Sequence, residues 1–124
     1  MITRVANQPG PLRGVHYRRF PVDAYKWFEM VAGGEVYAVC GVTVAGDEAW
    51  IYWRILRPGP VAWRELKRVD VPWLREFCRN AGAVNAYVSS DDPGDVNFDK
   101  MVGLMGFHVV KFGCQSLVED NHVR

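Results

Sequence analysis

Ala83-Val84-Asn85-Ala86-Tyr87-Val88, then Ser89-Ser90-Asp91-Asp92-Pro93-Gly94-Asp95, then a segment closing at Gly106-Phe107 and the run His108-Val109-Val110-Lys111-Phe112, is the stretch that decides the fold. The first six residues read as a strand. The acidic Pro-Gly segment reads as a loop, because these residues favour turns over continued pairing. Beyond Asp95, the residues Phe98, Met101, Val102 and Met105 fall on one side of a helix. Asp95 suits the N-cap of that helix, and Gly106 stops it. The run from Phe107 to Phe112 is a strand again, with a short one expected at Ser116 to Val118 and a frayed tail over 119–124.

Upstream of this stretch the sequence predicts a strand from Glu35 to Val44 and another from Ala49 to Leu56, joined by the turn Ala45-Gly46-Asp47-Glu48. Both are apolar on both faces, which places them inside a sheet. Arg57-Pro58-Gly59-Pro60 breaks the second strand and opens a long helical region reaching Ala81. Proline is tolerated in a first helical turn, where its missing N–H has no intrahelical role. Pro72 lies inside that region and predicts a kink or two helices near Asp70–Pro72, since its ring clashes with the carbonyl four residues earlier. Gly82 ends the region. A strand, a helix and a strand in succession predict that Ala49–Leu56 and Ala83–Ser89 are neighbouring parallel strands with a right-handed crossover.

The N-terminal third reads less firmly. Residues 1–14, with Pro9-Gly10-Pro11 and Gly14, read as an irregular arm. His16 to Phe20 suggests a short strand. Asp23 suits an N-cap, and Ala24, Trp27, Phe28 and Val31 share the spacing of one helical face, ended by Gly33-Gly34. The expected architecture is one α/β domain over residues 1–124, a mixed sheet with helices on both faces and a central splayed parallel strand pair.

Composition bounds the function. The chain has 124 residues, the size of one domain, with 49% hydrophobic and 23% charged residues, as in globular proteins. A net charge of +1 calls for neither nucleic acid nor an anionic membrane. No apolar run approaches the roughly 18 residues of a membrane span, and Met1 to Asn7 lacks a signal-peptide core. Three widely spaced cysteines, Cys40, Cys78 and Cys114, suit a reduced cytoplasmic chain. Asp95-x-Asn97-x-Asp99 opens like a calcium loop, but Lys100 replaces the turn glycine and Gly106 the closing glutamate. The three histidines have no zinc-ligand spacing with the cysteines, so no metal is expected. Arg57, Arg64, Lys67, Arg68, Arg75 and Arg79 cluster on the helical region; a solvated face accounts for them, and so does an anionic ligand.

The order strand–strand–helix–strand–helix–Gly-Phe–strand resembles the GNAT acyltransferases over roughly residues 35 to 118. The resemblance implies acetyl-coenzyme A as cofactor and transfer of its acyl group to a primary amine, carried by a small molecule or a protein. In that family the diphosphate of coenzyme A rests on a Gln/Arg-x-x-Gly-x-Gly/Ala loop at a helix N-terminus, where free N–H groups hold an anion. The equivalent place here is Arg57-Pro58-Gly59-Pro60-Val61-Ala62, so the resemblance carries Arg57, Gly59, Val61 and Ala62, with Arg64 nearby, into the cofactor site. Pro58 and Pro60 each remove a donor. Backbone groups from Ile55 and Leu56 to Arg57 would polarise the thioester carbonyl. Val102 stands where family members carry a tyrosine acid, and Ala49 to Leu56 contains no glutamate base. Glu48, just before that strand, and Tyr52 and Tyr87 are the substitute acid–base candidates. The same losses occur in GNAT-like proteins of bacteriophages, which implies an alternative: a non-catalytic protein acting in virion assembly or host-protein binding.

Overall fold

Seven strands form a single mixed sheet in the computed structural model, which describes residues 1–12, 20–90, 108–112 and 115–120. In chain order they are β1 (Ile2–Val5), β2 (Lys26–Ala32), β3 (Glu35–Ala45), β4 (Glu48–Ile55), β5 (Asn85–Ser90), β6 (His108–Phe112) and β7 (Gln115–Asp120). Their order across the sheet is β1-β2-β3-β4-β5-β7-β6. Every neighbouring pair is antiparallel except β4 and β5, which run parallel from Glu48↔Asn85 to Tyr52↔Ser89. The expected central hairpin and parallel pair are therefore both present.

Between β4 and β5 the chain is helical: α1 (Pro60–Glu65), a π turn (Leu66–Asp70) and α2 (Val71–Asn80) follow without a break. Pro72 sits in the first turn of α2. Its missing N–H cannot bond back along an α-helical ladder, and the register change falls in the turn just before it. The helical run lies on one face of the sheet. Ala62, Trp63, Leu66, Val71, Leu74 and Cys78 bury themselves there against Phe28 and Met30 of β2, Cys40 and Val42 of β3, Ile51 and Trp53 of β4, and Val88 of β5. The valine, leucine, isoleucine, phenylalanine and methionine side chains among them each contribute about 1.5–3 kcal/mol on leaving water. The opposite face holds a second cluster of Leu12, Tyr25, Trp27, Val39 and Tyr52.

The N-terminal third departs from expectation. Residues 26–32 are not a helix but strand β2, paired with β1 on one side and β3 on the other. Trp27 faces one cluster while Phe28 and Met30 face the other. A strand buried on both faces places apolar residues at nearly every position, and helical spacing is then satisfied by coincidence. Gly33 and Gly34 have φ of 60° and 81°, the two left-handed residues of a tight hairpin turn rather than a helix end. The arm over 1–14 is also more regular than expected: Ile2–Val5 is edge strand β1, and Gly10–Leu12 is a 3-10 turn. At the other end Glu119 and Asp120 belong to β7 rather than to a frayed tail. The expected strand from His16 and the helix after Asp95, with Val102 and Gly106, lie outside the described residues, as does most of the reading of helices on both faces.

Candidate functional site

The parallel ladder between β4 and β5 stops at Tyr52↔Ser89, while β4 continues through Trp53, Arg54 and Ile55. Past that fork β4 enters Leu56 and the Arg57-Pro58-Gly59-Pro60 turn. Gly59 has φ 153° and ψ 173°, a conformation that side chains disfavour, and its carbonyl accepts the Trp63 N–H at 2.9 Å to begin α1. Val61 and Ala62 precede that bond, so their N–H groups lie in the first helical turn with no partner inside the helix. A cavity of about 340 Å³ opens here. Arg57, Gly59, Val61 and Ala62 line it from the β4–α1 side, facing Gly33, Glu35 and Tyr37 of the β2–β3 hairpin.

Four of the seven expected cofactor residues are thus brought together. Ile55, Leu56 and Arg64 are not among the lining residues. Ile55 is buried against the helical run, and Leu56 and Arg64 are exposed. The N–H groups of Leu56 and Arg57 both donate to the Tyr37 carbonyl, at 2.8 and 3.1 Å. A donor so engaged does not polarise a thioester, which removes that role from two of the three residues expected to supply it. The Arg57 guanidinium donates to the Glu35 carboxylate at 2.9 Å, across the cavity mouth. Both side chains are more than half exposed, so the pair is worth at most about 1 kcal/mol and yields readily to a stronger anion.

The expected acid–base residues are dispersed. Glu48 begins β4, opposite Ala45 and Asn85, and stands about 23 Å along the strand from Ile55. Tyr52 occupies the last rung before the fork, but its side chain is 2% exposed within the second cluster. Tyr87 is half-buried and stacks on Trp50, its partner across the ladder, with ring centres 4.4 Å apart.

Sequence reading missed Tyr37 and Asp70. The β2–β3 register skips Tyr37, moving from Met30↔Ala38 to Val31↔Val36. A bulge re-aims a side chain. Here it leaves Tyr37 on the helix-covered face, where its hydroxyl donates to Asp70 Oδ2. Asp70 ends the π turn and is fully buried. Burial pushes its carboxyl above the usual carboxylate range, while the Tyr37 hydroxyl and the Met1 ammonium act the other way. Burial likewise raises the Tyr37 phenol, and the Asp70 carboxylate adds to that rise. The legible signal was Gly33-Gly34 between apolar runs, which marks a hairpin and brings Glu35 and Tyr37 beside the Arg57 turn. Among the described residues no cluster of His, Cys, Asp and Glu suits a metal ion, and no helix is long and apolar enough to cross a membrane.

No protein-family model matches the chain, and no curated protein does. Solved structures do. An assigned acetyltransferase from Sphaerobacter thermophilus superposes with a TM-score of 0.56 at 11% identity, over 93% of this chain and 78% of that one. An aminoglycoside 6'-acetyltransferase type Ii gives 0.52 at 12%, over 79% and 69%. A Bacillus subtilis acetyltransferase in complex with coenzyme A gives 0.51 at 12%, over 79% and 76%. At these identities the likeness concerns the fold: this chain has the α/β fold of these acetyltransferases.

Proposed function

We propose that this chain is an acyl-coenzyme A-dependent N-acyltransferase whose cofactor site is the mouth of the fork between β4 and β5 and the adjoining β4–α1 turn. The observation that carries the reading is an open cavity lined by Arg57, Gly59, Val61 and Ala62 on the β4–α1 turn and bordered opposite by the β2–β3 hairpin, beyond the end of the parallel ladder at Tyr52↔Ser89. The residues present suit an anionic cofactor: Arg57 and two residues of the first helical turn, whose N–H groups have no partner inside the helix, line the same space. Arg57, Val61 and Ala62 would hold the diphosphate of acetyl-coenzyme A, with Arg64 adding charge from the exposed side of α1. When bound, that cofactor supplies a thioester open to attack by a primary amine. The acceptor is a small-molecule or protein amine.

The protein's own part is to bind, to orient and to move protons. Arg57 exchanges Glu35 for the diphosphate, a trade favoured because the diphosphate bridge carries two negative charges and the carboxylate one. Proton donation falls to Tyr52, at the last rung of the ladder, or to Tyr87. Glu48 stands four residues before Tyr52 along β4, about 13 Å from the fork. Release of free thiol from acetyl-coenzyme A with a panel of primary amines tests the reading. Replacing the contributing tyrosine with Phe should lower turnover by roughly 10²–10⁴-fold. No amine-dependent release, with either tyrosine intact, would count against it.

A second reading rests on a specific observation. The Tyr37 carbonyl occupies the Leu56 and Arg57 N–H groups, and Glu35 occupies Arg57. A fold reused as a scaffold would retain such self-satisfied contacts. This alternative is a non-catalytic GNAT-like protein, of the kind found in bacteriophages, that acts in virion assembly or on a host protein. It predicts neither cofactor binding nor turnover.

A further inference from the structure

Apart from Met1, every exposed large apolar side chain among the described residues falls on one stretch of the chain: Leu56, Val61, Val69 and Trp73. The same stretch holds Arg57, Arg64, Lys67 and Arg68, all exposed. Its acids do not balance them at the surface, because Glu65 is half-buried and Asp70 is buried. The solvent side of the helical run is therefore cationic and apolar together. Taken every fourth residue, Ala62, Leu66, Asp70, Leu74 and Cys78 form a line that is buried throughout. Arg64, Arg68, Pro72 and Glu76 form a line that is exposed throughout. Val61, Glu65, Val69, Trp73 and Phe77 form the line beside it, exposed or half-buried. The π turn widens one turn of the run, so lines of this spacing drift around the axis less than in an unbroken α-helix.

Packing fixes Trp73. Its ring stacks on Phe77 with centres 5.3 Å apart and meets Phe28 at 5.4 Å, and Phe28 and Phe77 are themselves 5.4 Å apart. Yet 40% of Trp73 stays in water. Lys26 brings a further cation to this group, with its Nζ 5.5 Å from the centre of the Phe77 ring. Arg64 and Arg68 have no ion pair among the described residues, and Glu76 is taken by Arg79 at 2.7 Å. A fixed tryptophan beside open arginines has the composition of a protein-interface anchor, where both residue types are enriched. A net charge of +1 gives the chain no general attraction for an anionic membrane or a nucleic acid. A ring packed on two others is also poorly placed to sink into lipid. We infer that this face of the helical run docks an acidic segment of a partner protein. An apolar side chain of that segment covers Val69 and Trp73, and its carboxylates meet Arg64 and Arg68. The inference goes beyond the acyltransferase reading and does not depend on it.

The test selects a random displayed library of peptides of about twelve residues on the intact protein. The enriched peptides should carry Asp or Glu on both sides of an aromatic residue or a leucine. The consensus peptide, labelled with fluorescein, is then titrated by anisotropy against the wild type, Arg68→Glu and Trp73→Ala. Each substitution should weaken binding by about tenfold or more, and the wild-type affinity should fall as salt rises. If Trp73→Ala does not fold, Val69→Asp, at an exposed position, takes its place with the same expectation. Enriched peptides without acidic residues would overturn the inference, and so would a consensus peptide that binds the wild type and both variants alike. Vesicles of phosphatidylcholine with about a third phosphatidylserine, and sedimentation of the protein alone, test the other occupants. Vesicle binding or self-association that Arg68→Glu abolishes, with no acidic peptide selected, would assign the face to a membrane or to a second copy and overturn the inference. No variant touches the Arg57 turn, so failure here leaves the coenzyme A reading standing.

Discussion

The two ends of β4 differ. At its N-terminal end, Glu48 to Tyr52 are paired on both sides, with β3 and with β5, and Trp50 stacks on Tyr87 across the ladder. At its C-terminal end the β5 pairing is gone by Trp53, and the strand runs into a turn that borders a cavity. One strand thus supplies both the rigid centre of the sheet and one wall of the candidate site. The lesson is that a residue's chemistry counts only with its place along the strand. Glu48 has a carboxylate suited to a base but stands at the closed end. Arg57 stands where an anion can reach it.

If the closed end is the rigid one, the largest effect should come from its core. Ile51, 3% exposed and paired with Val42 and Val88, should cost about 2–5 kcal/mol when truncated to Ala, read as a shift in denaturant midpoint at constant slope. A loss below about 1 kcal/mol would mean the centre of the ladder is loosely packed.

Next in size is Gly41, which pairs with Tyr52 on one side and Trp27 on the other. A methyl group added there would lie 2.4 Å from the Trp27 ring. The ring lies flat over the strand because this position has no side chain. Gly41→Ala should destabilise by about 1–3 kcal/mol, with a change in the near-ultraviolet signal of Trp27. An unperturbed variant would contradict the close approach.

At the open end, stability and binding should separate. Arg57→Ala should alter folding stability by less than about 1 kcal/mol, because its pair with Glu35 is exposed. It should nevertheless weaken acetyl-coenzyme A about tenfold, the worth of one charge-assisted contact. Glu35→Gln frees the guanidinium and should tighten binding. Calorimetric titration of the two variants reads both, and opposite signs are the expected outcome.

The smallest effect concerns pH. The Asp70 carboxyl is raised in the fold by burial, so between the ordinary carboxylate pKa near 3.9 and its folded value the native state holds a proton that the unfolded chain has lost. Its contribution is full below about pH 4 and declines as pH rises through the folded pKa. The stability of the wild type minus that of Asp70→Asn should therefore fall across that window. A difference that is flat or rises with pH would contradict the assignment.

Sequence made the centre of this molecule legible and its margins less so. β3, β4 and β5 are runs buried on both faces between clear turn signals, and the crossover rule then orders β4 and β5 as a parallel pair. β2 is equally buried on both faces, but Trp27, Phe28 and Val31 also satisfy helical spacing, and only the hairpin conformation of Gly33 and Gly34 separates the two readings. Arg57, Gly59, Val61 and Ala62 were legible because they are contiguous. Their partners Glu35 and Tyr37 come from another hairpin, and a one-residue bulge decides where Tyr37 points. Asp70 falls on a helix that reads as solvated and basic. Its inward position follows from a π turn beside Pro72, a backbone change that side-chain periodicity does not register.

The central claim is that the open end of β4 seats an acyl-coenzyme A. A thermal-shift titration of the wild type with acetyl-coenzyme A, run beside Arg57→Ala, tests it most directly. At about a hundred times the dissociation constant the ligand should stabilise the fold by about 2.7 kcal/mol, a rise in Tm of roughly 3–6 °C. In Arg57→Ala the titration should move to about tenfold higher ligand. No rise in the wild type at millimolar acetyl-coenzyme A would contradict the account and leave the scaffold reading in its place.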